Sequence, residues 1–190
     1  MDNNNQMTAQ ESLALIAEVL NNSRRSLLKD SARHFVIWGL CIAVFSLAVY
    51  LMWTSTGNVA WNWLWFGITP VGYLGVWLTG RNKEPEPKSE IGRMMSMVWA
   101  TYGVFCVGLA LVSVVVPLPI VLLVVLLLGI AESMSGVLLR SWPVAIAGFI
   151  LGVGGIAMGK ILSGESQVLL VALGGLLLLV TGVAIKLQQR

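Results

Sequence analysis

Apolar residues along this chain fall into six long runs separated by short polar segments. Each run is 17 to 23 residues long and nearly free of charge: residues 35–53, 61–79, 94–116, 119–139, 143–159 and 168–185. A helix needs ~20 residues to cross the ~30 Å hydrocarbon core of a bilayer. The pattern therefore predicts an all-α, polytopic membrane protein, a bundle of six transmembrane helices in which Glu132 is the one charged residue.

The composition excludes an ordinary soluble domain. Hydrophobic residues make up 57% of the chain and charged residues 11%, with a mean hydropathy of +0.83, whereas soluble domains carry ~25% charged residues. The net charge is +3, and topology explains how the basic residues are distributed. Eleven of the twelve Lys and Arg lie on one side of the predicted spans, and Lys160 alone lies on the other. The positive-inside rule then places both termini in the cytoplasm, and we expect no nucleic-acid partner.

The first 34 residues predict an amphipathic helix. Thr8 and Glu11 fit a capping box, which indicates a helix start, and residues 21–23, Asn-Asn-Ser, could interrupt the helix. An apolar stripe recurs at coiled-coil-like spacing: Leu13, Ile16, Leu20 and Leu27. A stripe of this kind is buried against another apolar surface. Three such surfaces are possible: the lipid of the inner leaflet, a second copy of the chain through a short coiled coil, or another cytoplasmic protein.

Two units therefore make up the chain: the N-terminal helix, residues 1–34, and the transmembrane domain, residues 35–190. A charged loop with two prolines, residues 80–93, divides the predicted spans into two and four. Trp and Gly-Val pairs recur near the span ends at intervals of 37 to 40 residues. This recurrence is compatible with three related helical hairpins in parallel, and also with coincidence.

Small residues follow one another at three- and four-residue steps along the fifth span. The stripe consists of Ala145, Gly148, Gly152, Gly155 and Gly159. Because helices in lipid associate through close backbone approach, we expect these glycines to pack against neighbouring helices and the fifth span to be central. The matching surfaces are Gly129 with Ser133, and Gly174 or Gly175 with Gly182. A glycine-lined path or hinge is the functional alternative.

Glu132 is the one intramembrane residue that demands an explanation. An ionised acid there costs ~2.5 kcal/mol or more on insertion scales, so we expect the side chain to face the protein interior, pair with a base or be protonated. Ser133 and Ser135 make the same stretch polar. Two hypotheses follow: a proton- or cation-responsive site below a water-filled cavity, or a structural acid satisfied by hydroxyl groups or by a base at the cytoplasmic rim. The candidate bases are Arg33, Arg93 and Arg140.

The second span carries Thr69 and Pro70 at its middle. Proline frees a carbonyl one turn back and bends a helix, so this point predicts either a static kink or polar groups that face a cavity. No motif of a known enzyme class is present in the sequence, and Cys41 and Cys106 fall inside spans, as small packing residues do. The sequence therefore predicts no enzyme, no metal and no cofactor.

Several motifs resemble those of a known family. They are Glu11-Ser12-Leu13-x-Leu15-Ile16, Ile37-Trp38-Gly39, Gly129-Ile130 and Ser135-Gly136-Val137-x-x-Arg140-x-x-Pro143. The chain resembles an uncharacterised family of small six-span membrane proteins of Bacteroidota, which implies a multi-pass protein of the bacterial inner membrane and assigns no activity to any residue. The last four spans resemble, more weakly, the three-hairpin acid-resistance membrane proteins, and that similarity favours a hairpin repeat and a pH-linked Glu132.

We therefore expect a protein of the lipid bilayer with an interaction, anchoring or sensor-like role, acting on a cytoplasmic partner or as a homo-oligomer through its N-terminal helix. The alternative, from a different class, is a small proton-linked transporter or channel that uses Glu132. A continuous polar cavity reaching Glu132 would favour the alternative. A dry, tightly packed Glu132 would oppose it.

Overall fold

The computed structural model describes residues 9–81, 90–162 and 164–188, and every regular element in those ranges is a helix. The α-helices are α1 (Ala9–Thr56), α2 (Trp65–Gly80), α3 (Glu90–Ser113), α4 (Ile120–Leu138), α5 (Trp142–Gly159) and α6 (Val168–Gln188). Two short 3-10 helices, Val59–Leu64 and Gly164–Gln167, precede α2 and α6. The all-helical prediction is confirmed. The capping residue Thr8 and most of the loop 80–93 lie outside the described residues.

Five of the helices are long and apolar enough to cross a membrane. The spans are Asp30–Thr56, Ile91–Ser113, Ile120–Leu138, Trp142–Gly159 and Gly164–Leu187. The remaining helix, α2, has 16 residues, which at 1.5 Å per residue is ~24 Å. It is short because residues 61–64, the start of the predicted second span, lie in a 3-10 helix. The chain is thus a helical membrane protein with five spans recognisable by length and apolarity.

The first helix runs without a break from the extramembrane segment into the first span. It has 48 residues, and residues 21–23, Asn-Asn-Ser, are helical and do not interrupt it. Asn and Ser lower helix stability by less than ~0.7 kcal/mol each, which is too little to break a helix that packing holds from Leu28 onward. The boundary predicted at residue 34 therefore falls inside one continuous helix.

Helices α1 and α6 pack as an antiparallel pair in backbone contact. A Cβ atom built on Gly39 of α1 would lie 2.7 Å from the carbonyl oxygen of Gly175, and one built on Gly175 would lie 2.8 Å from that of Gly39. Two turns nearer the end of α6, a Cβ on Gly182 would lie 2.9 Å from the carbonyl oxygen of Ala32. Real Cβ atoms do not approach this closely, so only glycine permits this spacing of the two helices.

Helices α4 and α5 form a second antiparallel pair of the same kind. A Cβ on Gly129 would lie 2.6 Å from the carbonyl oxygen of Gly148, and one on Gly148 would lie 2.7 Å from that of Gly129. Farther along the seam, Gly155 faces the side chain of Val125 and Gly159 faces that of Leu122. The surface of Gly129 and Ser133 therefore meets α5, whereas Gly175 and Gly182 meet α1 instead.

The two glycine-packed pairs meet along α4 and α6, where the core lies. Leu128 of α4 and Leu178 of α6 are fully buried, and Gly174 of α6 faces the side chains of Leu128 and Leu151. Half of the sixth span is buried, against 33% of the fifth. The prediction of a central fifth span is wrong, because its glycines serve one close neighbour, α4. The closest pairings, α1 with α6 and α4 with α5, also cut across the three consecutive hairpins of the predicted repeat.

Candidate functional site

Glu132 lies where α4 packs against α6, and its side chain is fully buried. The Thr181 hydroxyl on α6 donates to Glu132 Oε1 over 3.5 Å, the outer limit of a hydrogen bond. The same hydroxyl lies 2.9 Å from the carbonyl oxygen of Leu178, and a hydroxyl has one hydrogen to donate. Glu132 Oε2 accepts no hydrogen bond from any described residue. The carboxyl group is therefore buried and only weakly satisfied.

The two serines beside Glu132 make bonds of their own. The Ser133 hydroxyl donates to the carbonyl oxygen of Ala145 over 3.0 Å and so links α4 to α5. The buried Ser135 hydroxyl donates to the carbonyl oxygen of Ala131, one turn back, over 2.7 Å. Neither serine is brought to the carboxyl group, so the three predicted residues share a stretch of helix without forming one polar cluster.

None of the predicted arginines forms an ion pair with Glu132 within the described ranges. Arg33 instead pairs with Asp30, Nη2 to Oδ1, over 2.6 Å. Its Nη1 donates to the carbonyl oxygen of Thr79 in the last turn of α2 over 3.4 Å, and His34 Nδ1 lies 2.8 Å from the carbonyl oxygen of Asp30. This group joins the end of α2 to α1. The group could not be predicted from the sequence, because Asp30 and Thr79 are far apart in the chain.

Two pockets on the described surface do not include Glu132 in their linings. One, of about 200 Å³, lies in the corner between α4 and α5. The other, of about 330 Å³, is an apolar groove along α3 between Val104 and Val112. Glu132 is fully buried and lines neither pocket. Thr69 and Pro70 are exposed on α2, so that pair faces the surroundings of the helix and lines neither pocket.

The start of α1 projects beyond the bundle and carries an exposed apolar stripe. Leu13 is 66% exposed and Ile16 is 54% exposed, and Leu15 and Val19 are exposed beside them. The side chains of Leu20 and Leu27 lie outside the described ones. Among the described side chains of this helix, that of Leu28 is the first to pack against the core. The segment before it therefore offers apolar surface that no described residue covers.

Two groups that shape these sites were not found from the sequence. Thr181 is the one hydroxyl residue of α6, and a lone hydroxyl in an apolar span is the signal that could have marked it as a partner of Glu132. Gly39 was noted only within a family motif, although it sets the distance between α1 and α6. Its neighbours in sequence give no sign of close packing, because its partner is more than a hundred residues away.

Comparison of the chain with models of protein families, with curated proteins and with solved structures found no match. The resemblance to the bacterial six-span family therefore stays a prediction.

Proposed function

We propose that this protein is a membrane-embedded interaction protein that holds a protein partner through the projecting start of α1. The observation that carries the proposal is the uninterrupted helix Ala9–Thr56, whose last 27 residues form a candidate span. The preceding 21 residues extend ~32 Å beyond that span at 1.5 Å per residue. They carry the exposed stripe of Leu13 and Ile16.

Because α1 is continuous, the lipid surface is a poor candidate for burying this stripe. A helix that lies on the membrane must turn through roughly a right angle before it enters the bilayer. Sharp bends require proline, a π-bulge or a similar defect, and α1 has no proline and is α-helical throughout. The helix therefore holds the stripe away from the lipid. The surface that buries it then belongs to a protein, either another protein or a second copy of this chain.

Burial of the stripe supplies enough free energy for a specific contact. Full burial of a Leu, Ile or Val side chain contributes ~1.5–3 kcal/mol relative to exposure. Leu13, Leu15, Ile16 and Val19 are each more than half exposed, so their cover by a groove or by other helices is worth several kcal/mol. Attachment to the membrane raises the effective concentration of copies in the same bilayer, which favours even a short helical contact.

Six crossings, with both ends of the chain on the cytoplasmic side of a bacterial inner membrane, form part of this proposal. Along α2, Gly67 faces Phe45, Gly72 faces Trp38, and Gly80 faces Arg33. At the opposite end, the Trp61 indole donates to the Thr56 hydroxyl over 2.9 Å. Residues 59–80 thus accompany α1 from one end of its span to the other. The 3-10 turn and α2 together have the reach of a full crossing, although α2 alone does not.

Site-specific photocrosslinking from α1 in living cells tests the proposed role. A photoreactive amino acid at Ile16, on the stripe, is compared with the same residue at Glu18, on the opposite face of the same helix. We expect protein adducts from position 16 and few from position 18, and an adduct of twice the chain mass identifies a second copy as the partner. Lipid adducts alone from position 16, or equal adducts from both positions, would contradict the proposal.

A proton-linked transporter or channel that uses Glu132 has less support. Its one favourable observation is the unsatisfied Oε2 atom, and the full burial of the side chain opposes it. Proton flux into liposomes under an imposed pH gradient decides the question. Flux in the wild type that Glu132→Gln abolishes would replace the interaction proposal with transport, and equal absence of flux in both would leave Glu132 a structural acid.

A further inference from the structure

A pocket lies in the corner between α4 and α5. Its volume is about 200 Å³. The lining residues are Gly136, Val137, Arg140, Ser141, Trp142 and Ala145. The corner closes tightly, since Gly136 and Ala145 are in backbone contact across it.

The pocket has an apolar floor and a polar mouth at different depths of the membrane. Gly136 and Val137 belong to the last turn of the fourth span, which ends at Leu138, and Ala145 belongs to the first turn of the fifth. Arg140 and Ser141 lie in the short connection beyond both spans. The floor is therefore at the level of lipid chains and the mouth at the level of lipid headgroups, the same order in which a phospholipid presents its acyl chain and its phosphate.

Arg140 places a guanidinium group at the mouth. No described residue forms an ion pair or a side-chain hydrogen bond with it, whereas Arg33 is held by Asp30 and Arg81 stacks over the ring of Trp77. Next to it, the Trp142 side chain is 75% exposed, at the depth where tryptophan favours the membrane interface. The mouth thus combines a guanidinium with an interfacial indole.

The backbone holds Arg140 in a conformation that arginine rarely adopts. Its φ of 51° is positive, and the α4 end is closed by hydrogen bonds from Ser141 N to the carbonyl oxygen of Gly136 (2.8 Å) and from Arg140 N to that of Val137 (3.0 Å). This is the Schellman arrangement, in which glycine normally occupies the left-handed position. An arginine kept there against the backbone preference is an outlier of the kind that functional sites retain.

We propose that this corner binds an anionic phospholipid. Arg140 pairs with the phosphate group in a charge-assisted contact, Trp142 lies against the glycerol region, and the upper part of an acyl chain covers Val137 and Ala145. The apolar floor favours a phosphate that carries a chain over a free phosphate ion. This site is independent of the partner of α1, and it needs only that Arg140 lie at headgroup depth.

Lipid titration of the purified full-length chain in detergent tests the proposal. Phosphatidylglycerol and phosphatidylcholine are compared by native mass spectrometry for wild type, Arg140→Gln and Lys160→Gln. Lys160 is the matched control, because it is an exposed cation at the other end of α5 and lines neither pocket. We expect one retained phosphatidylglycerol, about tenfold weaker retention in Arg140→Gln, as loss of one charged hydrogen bond implies, and no change in Lys160→Gln.

Two further measurements make the result specific. Phosphatidylglycerol with brominated chains should quench wild-type tryptophan fluorescence more than that of Trp142→Phe, and Arg140→Lys, which keeps the charge, should retain more lipid than Arg140→Gln. Equal retention of phosphatidylcholine, an equal loss in Lys160→Gln, or no loss in Arg140→Gln would overturn the proposal. Displacement of the lipid by millimolar inorganic phosphate would also overturn it, because the site would then take a free anion.

Discussion

Replacement of Glu132 by leucine should stabilise the protein. The side chain is fully buried, Oε2 has no hydrogen-bond partner among the described residues, and Oε1 has one long contact with a hydroxyl that also bonds its own helix. A buried, unsatisfied polar atom costs ~1–3 kcal/mol. Leucine has a similar volume and no polar atom, so its substitution removes that cost.

The expected gain in the free energy of unfolding is ~1–2 kcal/mol, because the long Thr181 contact contributes less than one ordinary hydrogen bond of ~1 kcal/mol. Glu132→Gln should lie within ~1 kcal/mol of the wild type, since the amide keeps two polar atoms in the same place. Glu132→Ala should lose stability through the space it leaves. The order of stability should therefore be Leu above Glu and Gln, with Ala lowest.

Reversible unfolding with SDS, followed by tryptophan fluorescence in mixed micelles, measures these differences. Ser135→Ala is the matched control: it removes a buried hydroxyl one turn away whose bond to the Ala131 carbonyl oxygen, at 2.7 Å, is already good, so it should lose ~0.5–1.5 kcal/mol. If Glu132→Leu lost more than ~1 kcal/mol, the carboxyl group would be satisfied in the membrane after all, and the reasoning from its orphaned oxygen would be refuted. A stabilised variant that loses a cellular phenotype would show that the acid is kept for function at the expense of stability.

Four other outcomes are expected. In the same assay, Gly148→Val should lower the free energy of unfolding by more than ~2 kcal/mol, because its Cβ would lie 2.7 Å from the Gly129 carbonyl oxygen. Gly108→Ala, whose Cβ meets open space on α3, should raise the free energy of unfolding by ~0.5–1 kcal/mol. Equal effects would show that the α4–α5 contact is not close. Arg140→Gly should raise the free energy of unfolding by ~1 kcal/mol, because glycine adopts the left-handed conformation of residue 140 without strain. A lower free energy of unfolding would show that Arg140 is not strained at this position. Single cysteines at positions 58 and 81, Asn58→Cys and Arg81→Cys, test the crossing by residues 59–80 in a chain whose Cys41 and Cys106 are replaced by Ala. A membrane-impermeant maleimide should label Asn58→Cys in intact spheroplasts and Arg81→Cys only after permeabilisation. Labelling of both from one side would disprove the crossing. Asp30→Asn should break the ion pair with Arg33 and lower the free energy of unfolding by ~0.2–1 kcal/mol, as expected for a partly exposed ion pair. A much larger loss of stability would show that the pair is shielded from solvent.

The sequence predicted the spans better than their arrangement. The ends of α4, α5 and α6 fall within three residues of the predicted runs, because apolarity over ~20 residues is a local property that a membrane requires. The second run was less well predicted. Its first residues, 61–64, belong to a 3-10 turn that hydropathy does not distinguish from an α-helix. Asn58, which precedes the run, accepts from the backbone N–H of Ala60, and Asn62 accepts from the Trp65 indole.

Helix pairing required information that no single stretch contains. The glycine stripe of α5 is periodic in the sequence, but periodicity does not identify the helix that packs against it, so α4 could not be preferred over the other helices. Gly39 and Gly175 are joined only by the folded structure. At the candidate site, the burial of Glu132 could be expected from the cost of a charge in lipid, whereas its contact with Thr181 depends on how α4 and α6 meet.

The pairing of α1 with α6 has a consequence for biosynthesis. The ribosome delivers α1 to the membrane long before α6 exists, while the neighbouring helices α4 and α5 can associate as soon as both have been inserted. During that interval the glycine face of α1 around Gly39 has no α6 to meet, so chaperones, lipid or the insertion machinery must shield it. Nascent chains arrested before Val168 should accordingly be the species most exposed to membrane proteases, and synthesis of α6 is the event that brings this helix pair together.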